Sequence, residues 1–305
     1  MDKHISVMLK ETVDLLNVTK GKTYVDGTLG RGGHSEEILK RLDGQGHLYV
    51  FDLDNEAIEQ SKERLAKYHN VTFIHDNFAN MFDHLRHVDG ILLDLGVSSP
   101  QFDEGERGFS YRFDGPLDMR MNQEAELTAA KLINESSAEE LCRIFRDYGE
   151  ESFAWPIAKA IVKRRTEKPL ETTFELVEVI KSVLPAKVLA RKGHPAKQCF
   201  QALRIAVNHE LDSLETFLAH FDEILNPDGR VSIITFHSLE DRLVKRCFKQ
   251  LSTVVDDLRI AKRPEDIQPA PYRLVNHKSI TASKAELEMN KRAKSARLRA
   301  IEKVR

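Results

Sequence analysis

Apolar runs alternate with amphipathic segments along the first hundred residues. Four apolar runs predict strands: TYVDG, GHLYVFDLD, VTFIHD and VDGILLDLGVSS. Two segments with apolar residues three and four apart predict helices: HSEEILKRL and NEAIEQSKERLAKY, the second capped by Asn55. Because the strands are apolar on both faces and alternate with helices, the pattern predicts a parallel, doubly wound α/β sheet.

The strand rhythm stops near residue 100 and returns in GRVSIITFHSLEDR, after an NPDG turn. The intervening PQFDEGERGFSYRFDGPLDMRM predicts a long ordered loop, of a kind that is usually functional. Helical patterns follow that loop. We therefore expect a discontinuous sheet domain, residues 1–105 and 206–305, with a mainly helical domain, residues 106–205, inserted after its fourth strand. The charged tail beyond Ala282 predicts an exposed helix.

Composition indicates a globular protein of the cytoplasm. Of 305 residues, 41% are hydrophobic and 31% charged, which are ordinary values. No apolar stretch approaches the ~20 residues that a membrane-spanning helix needs, and the start lacks the order of a secretory signal. The cysteines, Cys142, Cys199 and Cys247, are scattered and have no CxxC spacing. They suit a reducing compartment and argue against a disulfide framework or a structural zinc site.

Positive charge is concentrated in two segments although the net charge is only -2. Residues 159–204 contain eleven basic and four acidic residues, and residues 284–305 contain eight basic and three acidic residues. Segregated positive charge favours a polyanionic partner, and a solvated helix face is the alternative.

A glycine-rich turn follows the first predicted strand directly. Its glycines are Gly27, Gly30, Gly32 and Gly33, a spacing that does not match the GxGxxG turn of nicotinamide-binding proteins. The strand ends at Asp26, whose charge would repel a pyrophosphate. An acid beside such a turn suits a ligand with an ammonium group, and S-adenosylmethionine is such a ligand.

Acidic and aromatic residues also follow the next three strands. Asp52 ends the second strand about 20 residues after the turn, where an acid binds ribose hydroxyls in Rossmann folds, and Asp54 is an alternative. Phe78 follows the third strand as a wall for adenine, and Asp94 ends the fourth. Each acid could instead cap a helix. Their convergence on one sheet edge favours a cofactor site.

Four blocks of the sequence resemble the signatures of one enzyme family: DGTLGRGGHS, GILLDLGVSSPQFDEGERGFSY, DGPLDMRM and FHSLEDR. The family consists of bacterial S-adenosylmethionine-dependent methyltransferases that act on the N4 amino group of a cytosine in 16S ribosomal RNA. The resemblance runs from HISVMLKE, at His4, to Tyr272. The family usually has proline where this chain has Ser6.

The resemblance implies a class I, Rossmann-like methyltransferase sheet with an inserted helical domain that recognises substrate. It implies S-adenosylmethionine as cofactor, the 16S RNA of the small ribosomal subunit as partner and cytosine 1402 of the decoding centre as target, in a monomer or homodimer without membrane association. It also favours Asp52 over Asp54 for the ribose. The implied cofactor contacts are Gly32, Gly33, His34, Asp52, Phe78, Asp94 and Gln101.

The catalytic hypothesis concerns the two protons of the cytosine amino group. We expect Asp94, or a carbonyl or hydroxyl near Ser98 and Ser99, to accept them while the nitrogen lone pair is aligned with the methyl carbon. Asp118 is a second candidate, with the ordering of its loop as the alternative role. His237 is expected to line the base pocket or to be a buried, hydrogen-bonded histidine.

Other chemistries and functions are weaker interpretations of the same sequence. His84 and His87 have metal-ligand spacing, but no further ligand completes the set. Ser98 and Ser99, after the fourth strand, do not lie in a GxSxG elbow, which argues against either serine as an acyl nucleophile. A methyltransferase for small molecules or proteins, and a non-catalytic RNA-binding factor, remain alternatives. In the basic inserted domain we expect Arg164 and Arg165 to contact RNA phosphates.

Overall fold

The computed structural model describes residues 6–97, 101–102, 104–254 and 269–304. The chain divides into two compact units. The first consists of Met1–Gly96 and Leu211–Arg305, and the second is the continuous segment Val97–Glu210. The assignment of cofactor binding to residues 1–105 and 206–305, and of substrate recognition to residues 106–205, stays a prediction.

The first unit is built on a seven-stranded sheet whose order is β3-β2-β1-β4-β5-β7-β6. Its strands are β1 (Thr23–Asp26), β2 (His47–Asp52), β3 (Val71–His75), β4 (Val88–Asp94), β5 (Leu225–Thr235), β6 (Tyr272–Leu274) and β7 (Arg297–Lys303). Strands β1 to β5 pair in parallel, and β7 is antiparallel to both β5 and β6. The strand order reverses between β1 and β4, where ligands bind in open α/β sheets. This is the class I methyltransferase sheet.

The described helices lie in both units. In chain order they are α1 (Leu9–Leu16), α2 (Gly33–Leu42), α3 (Asn55–Leu65), α4 (Met81–His84), α5 (Ala129–Glu135), α6 (Ala138–Asp147), α7 (Ala154–Arg165), α8 (Thr173–Val183), α9 (Ala186–Leu189), α10 (Lys197–Asn208), α11 (Glu210–His220), α12 (Ser238–Leu251) and α13 (Lys284–Met289). Helices α5 to α10 form the second unit, which has a separate apolar core. No described helix is long and apolar enough to cross a membrane.

The prediction of an exposed helix for the whole charged tail is wrong. Only Lys284–Met289 forms an α-helix, and Arg297–Lys303 forms the antiparallel strand β7. Leu298, Ala300 and Ile301 are fully buried on this strand. Because β5 offers an open ladder, pairing along its length and burial of these apolar side chains outweigh the local charge pattern.

The cap predicted for α3 is displaced by one residue. Asp54 occupies the N-cap position, and its Oδ1 accepts a hydrogen bond from the backbone N–H of Glu56 at 3.1 Å. Asn55 is instead the first residue of the helix. Aspartate satisfies the free N–H groups of a first turn as well as asparagine does. The sequence therefore did not determine which of the adjacent residues Asp54 and Asn55 would be the cap.

Candidate cofactor site

The glycine turn between β1 and α2 is left-handed and open on one side. Gly30 has φ +50° and Gly32 has φ +71°, values that favour glycine. A Cβ added to Gly30 would meet no atom nearer than the carbonyl oxygen of Thr28, at 3.9 Å. Gly32 is the N-cap of α2 and has no side chain to accept from the N–H groups of the first turn. These groups suit an anionic part of a ligand such as a carboxylate.

Asp26 holds the base of the turn. Its carboxylate is fully buried and accepts hydrogen bonds from Ser35 Oγ at 2.6 Å and from the N–H of Thr28 at 3.1 Å. Burial raises the pKa of Asp26 to about 6 and outweighs these two hydrogen bonds, which lower it. Asp26 therefore connects the end of β1 to α2. It would attract a cationic ligand through its negative charge, because none of its oxygens is exposed for a direct contact.

The structure gives different contacts to the two acids that follow β2. Asp52 Oδ2 accepts from the N–H of Gly30 at 2.8 Å, and its Oδ1 accepts from the N–H of Asp54 at 2.9 Å. Burial raises the pKa of Asp52 to about 6, against the opposing effect of these bonds. Because Asp54 is engaged as the cap of α3, Asp52 is the acid that lies at the glycine turn.

Asp94, at the end of β4, carries an unsatisfied carboxylate oxygen. Its backbone N–H donates to Thr28 Oγ1 at 2.6 Å. The side-chain atom Oδ1 is buried and has no hydrogen-bond partner among the described residues. Burial raises the pKa of Asp94 well above its ordinary value, and the negative charges of Asp26, Glu240 and Glu286 raise it further. A hydrogen-bond donor or a cation placed at Oδ1 would therefore be stabilised.

His34 connects Asp94 to the N-terminal segment. Its Nδ1 lies 3.6 Å from Asp94 Oδ2, and its Nε2 lies 3.0 Å from the carbonyl oxygen of Val7. The imidazole is only 4% exposed. Val7 is followed by Met8, whose backbone N–H donates to Glu286 Oε1 at 2.6 Å. Residues from the two ends of the chain therefore support the predicted cofactor residues.

Sequence reasoning missed Glu286, which lies 192 positions after Asp94. It is in α13, and it contributes both to the anchoring of Met8 and to the raised pKa of Asp94. The local sequence KAELEM contains two glutamates with similar surroundings. Only tertiary packing distinguishes them, and no pattern along the chain would have identified this residue.

Phe78 lies beside the turn, in the segment that follows β3. Asn77 Oδ1 accepts from the N–H of Ala79 at 2.9 Å and fixes this segment. A Cβ added to Gly27 would lie 3.0 Å from the Cβ of Phe78, so the two residues pack directly against each other. The Phe78 ring meets Phe217 edge-on at 6.0 Å. Phe78 is only partly buried, which leaves ring surface for a planar ligand.

Two predicted residues lie in the second unit. Gln101 is 4% exposed. The Asp118 carboxylate accepts from Arg120 Nε at 2.8 Å and from Nη2 at 2.6 Å. Partial burial opposes the charge of Asp118, but these hydrogen bonds prevail and lower its pKa. This pairing favours the loop-ordering role for Asp118. Ser98 and Ser99 lie outside the described residues.

The histidines singled out in the sequence have structural partners. His237 is the N-cap of α12, and Glu240 Oε2 accepts from the backbone N–H of His237 at 3.2 Å in a capping box. The His237 ring is 7% exposed, with Nε2 3.0 Å from Glu240 Oε1. His84 Nε2 lies 2.8 Å from Asp76 Oδ2. The His237 ring is buried beside Glu240, but its Nε2 has no hydrogen-bond partner among the described residues, so neither expectation for His237 is decided.

Together these features fit S-adenosylmethionine. The open face of Gly30 leaves room beside the turn, and the first turn of α2 can receive the carboxylate of its amino-acid end. Asp52 provides acceptors on the ribose side, and the unsatisfied Oδ1 of Asp94 gives a buried acceptor for a cationic or N–H group. Gly32, Gly33, His34, Asp52, Phe78 and Asp94 all belong to the first unit.

Solved structures with similar folds are distant from this chain. An rRNA methylase from Streptococcus thermophilus is 11% identical, with 99% of this chain and 100% of that chain covered and a TM-score of 0.41. A SAM-dependent O-methyltransferase from Thermotoga maritima is 11% identical, with coverage of 100% and 69% and a TM-score of 0.42. A methyltransferase homologue from Pyrococcus horikoshii is 10% identical, with coverage of 98% and 68% and a TM-score of 0.45. Likenesses at this level carry no functional argument.

The sequence match to a family model is decisive. The model describes the MraW methylase family and matches residues 1–304. This match spans both units and includes every predicted cofactor residue. The chain therefore belongs to the MraW methylase family, the 16S rRNA cytosine-N4 methyltransferases that its motifs resemble, and is an S-adenosylmethionine-dependent methyltransferase of ribosomal RNA.

Proposed function

We propose that this protein methylates the N4 amino group of a cytosine in the 16S RNA of the small ribosomal subunit, in the cytoplasm. The family target, cytosine 1402 of the decoding centre, is the proposed base. The observation that carries the proposal is the buried, unsatisfied Oδ1 of Asp94 at the switch point of the sheet. An amino group has N–H donors, from which this oxygen can accept hydrogen bonds.

The first unit would bind the cofactor through residues that its geometry already holds in place. Asp52 would accept from the ribose hydroxyls, and Phe78 would contact the adenine face. The N–H groups that follow Gly32 would bind the carboxylate, and His34 would keep Asp94 oriented. Bound S-adenosylmethionine supplies a methyl group made electrophilic by its sulfonium.

Asp94 would assist the loss of a proton from the cytosine N4 atom. The amino nitrogen is a weak nucleophile, because its lone pair is delocalised into the ring. As it becomes bonded to the methyl carbon, positive charge develops on it, and a carboxylate at hydrogen-bond distance stabilises that charge. Burial raises the pKa of Asp94 well above its ordinary value, which makes its carboxylate a stronger proton acceptor than an exposed aspartate.

The proposal is tested by transfer of labelled methyl groups to several acceptors. Assembled small subunits, free 16S RNA and cytidine would each be incubated with the protein and tritiated S-adenosylmethionine, and the labelled base would be mapped. We expect label on N4 of one cytosine in 16S RNA. Transfer to cytidine or to protein alone would support a methyltransferase with another substrate, and cofactor binding without any transfer would support an RNA-binding factor.

Variants of two neighbouring acids test the role of Asp94. Asp94→Ala is expected to lower the rate by far more than tenfold, which corresponds to ~1.4 kcal/mol of barrier. Asp54→Asn is the matched control, because it changes a buried acid at the same sheet edge and keeps a good helix cap. Activity of Asp94→Ala within about tenfold of the wild type would exclude the proposed proton acceptor.

The predicted phosphate contacts at the end of α7 are partly engaged within the protein. Arg165 Nη1 donates to the carbonyl oxygen of Ile133 at 2.5 Å, and Arg164 Nη1 donates to that of Lys168 at 3.2 Å. Reversal of both charges would therefore disturb the unit as well as any RNA contact. Their role in RNA binding stays a prediction. A test of it requires comparison with basic residues that make fewer contacts within the protein.

A further inference from the structure

Helix α8, in the second unit, presents an unusual exposed face. Phe174, Glu178, Lys181 and Ser182 are exposed, and their spacing of four, three and one places them along one side of the helix. The Phe174 side chain is 42% exposed, although the opposite face of α8 is buried in the core of the unit. An aromatic ring on a solvated helix face loses the apolar burial that it would have in the core.

The loop before α5 places a second aromatic ring beside the start of α8. Thr173 Oγ1 donates to the carbonyl oxygen of Phe113 at 2.7 Å, and the N–H of Phe174 donates to Asp114 Oδ1 at 3.2 Å. The Phe113 ring is 48% exposed. These two hydrogen bonds tie the backbone of the loop at Phe113 and Asp114 to the start of α8, where both phenylalanine side chains are exposed.

The second unit also contains a stacked ring pair. Tyr111 stacks on His194 with a centroid distance of 4.2 Å and an interplanar angle of 9°. Tyr111 also meets Phe200 of the core edge-on at 5.7 Å, which anchors the pair. Burial lowers the pKa of His194, and the nearby positive charges of Lys181 and Arg112 lower it further. Arg112 follows Tyr111 in the chain, and Lys181 lies in the last turn of α8.

Several exposed cations of the second unit have no acidic partner among the residues that the structure describes. Within the described part of the chain, no carboxylate pairs with the side chains of Arg112, Lys181, Lys187, Arg191 and Lys192. By contrast, Lys168 and Arg204 of the same basic segment form ion pairs with Glu175 and Glu210 at 2.8 Å. The charge of residues 159–204 is thus partly neutralised internally, and the unneutralised part includes the cations beside the exposed rings.

We infer that this face binds single-stranded RNA, by stacking of bases on its rings and pairing of phosphates with its cations. We name it the α8 strip, defined by Tyr111, Arg112, Phe113, Phe174, Lys181 and His194. The inference rests on the proposed function for the presence of RNA. Base stacking on aromatic side chains together with Lys and Arg contacts to the backbone is the usual mode of single-strand binding.

The dimensions of the α8 strip suit a few nucleotides. Phe174 and Lys181 are seven residues apart, which is about 10 Å along a helix. That length corresponds to about three nucleotides at the ~3.4 Å spacing of a stacked strand. One acid, Glu178, lies on the exposed face between them. Asp114 and Glu178 are exposed acids at this face, but residues 179–194 contain four basic and no acidic residues, and this excess of cations favours a polyanion over a peptide.

Fluorescence anisotropy of the full-length protein with a fluorescein-labelled ten-residue oligouridine tests the α8 strip. At fixed salt, Phe113→Ala/Phe174→Ala is expected to weaken binding by about tenfold or more, because two stacking surfaces are lost. The slope of log affinity against log salt concentration should stay unchanged. The control is Trp155→Ala, which removes another exposed aromatic ring of the same unit.

Charge variants provide an independent measurement of phosphate pairing. Arg112→Ala/Lys181→Ala should reduce the salt slope by about 1.4, at ~0.7 for each single-strand phosphate released. Lys131→Ala/Arg143→Ala removes the same charge from exposed positions of α5 and α6 and should leave the slope unchanged. Equal effects of both pairs, or no effect of either, would overturn the inference. All substituted positions are exposed, and thermal unfolding would verify the fold.

Turnover with small-subunit RNA separates this inference from the proposed function. If the wild type transfers no methyl group to RNA, the proposed function fails. If the wild type transfers methyl and the strip variants bind oligouridine and methylate normally, only the inference fails. We expect the strip variants to raise KM for RNA about tenfold and to keep kcat. The strip variants could also bind oligouridine normally and lose binding only to assembled subunits. That result would indicate a ribosomal protein, not RNA, as the partner of the α8 strip and would overturn the inference.

Discussion

Asp26 is expected to destabilise the protein at neutral pH. Its carboxylate is 0% exposed, and Ser35 and Thr28 provide hydrogen bonds but no positive charge. The perturbation is Asp26→Asn, which keeps the shape and an acceptor oxygen for the N–H of Thr28. The Ser35 hydroxyl can rotate to accept from the new amide. We expect this variant to be more stable than the wild type above pH 7.

The magnitude follows from the pKa of Asp26, which burial raises from 3.8 to about 6. At ~1.36 kcal/mol for each pKa unit, ionisation in the folded state costs about 3 kcal/mol more than in the unfolded chain. Below pH 3.8 the carboxyl is protonated in both states, so the penalty is absent. Between pH 3.8 and 6 the folded state binds more protons than the unfolded state, so stability falls as pH rises. Above about pH 7 the penalty is complete.

Urea unfolding of both proteins from pH 4 to pH 8, followed by circular dichroism, measures this difference. The gain of Asp26→Asn should be small at pH 4 and should grow to about 3 kcal/mol at pH 8. Asp54→Asn, which keeps a good N-cap, should change the free energy of unfolding by less than about 0.5 kcal/mol. A gain that is absent at pH 8, or equal at both ends of the range, would refute the reasoning. The stabilised variant should bind S-adenosylmethionine more weakly, because a negative charge at the site is lost.

Three further variants test contacts around the site. Glu286→Ala removes the acceptor of a backbone amide in the N-terminal segment; calorimetry should show cofactor affinity lowered several-fold and stability lowered by ~1–2 kcal/mol, whereas Glu288→Ala should match the wild type. Gly33→Ala would place its Cβ 1.9 Å from Ser6 Oγ. Urea unfolding should show a loss of ~1–3 kcal/mol in the free energy of unfolding. If adding Ser6→Gly to this variant restored none of that stability, the clash would not be the cause. Burial opposes the charge of Glu36, but hydrogen bonds from neighbouring cations prevail and lower its pKa to about 2. Glu36→Gln should therefore cost ~1–2 kcal/mol at pH 7, after allowance for screening, with the difference vanishing as pH falls from 4.5 towards 2; a constant difference would exclude the ionic explanation.

The site combines stability costs with a binding role. Asp26, Asp52 and Asp94 all have raised pKa values at one sheet edge, and the charge of Asp52 raises the pKa of Asp26 while that of Asp26 raises the pKa of Asp94. Without a ligand this arrangement lowers stability. A cofactor with ammonium and sulfonium groups would relieve the repulsion on binding. We therefore expect S-adenosylmethionine to raise the thermal stability of the protein by an amount that grows with the logarithm of its concentration relative to Kd.

The sheet and its binding edge could be predicted because their signals are local. Strands buried on both faces are apolar throughout, so β1, β2, β3 and β4 are visible as short runs between amphipathic helices. A glycine turn with φ above zero marks the point where β1 passes into α2. Parallel strands bring their carboxyl ends to one edge, so acids at those ends converge without further information.

The remaining features depend on partners that are distant along the chain. Strand β7 has the charge density of a solvated helix, and only its antiparallel pairing with β5 makes it a strand. The local pattern does not separate Asp52 from Asp54, although the family resemblance favours Asp52; in the structure Gly30 and Glu56 supply different N–H donors to the two acids. Glu286 becomes part of the site only because α13 packs next to Met8.

The sequence alone therefore determined the sheet rhythm, the glycine turn, the acidic edge and the family. Tertiary structure decided which acid contacts the glycine turn, and which oxygen of Asp94 and which cations have no partner among the described residues. The physical reason is range: periodicity and turn chemistry act between residues a few positions apart. Hydrogen-bond partners, desolvation and charge pairing are set by atoms that folding brings together from any distance along the chain.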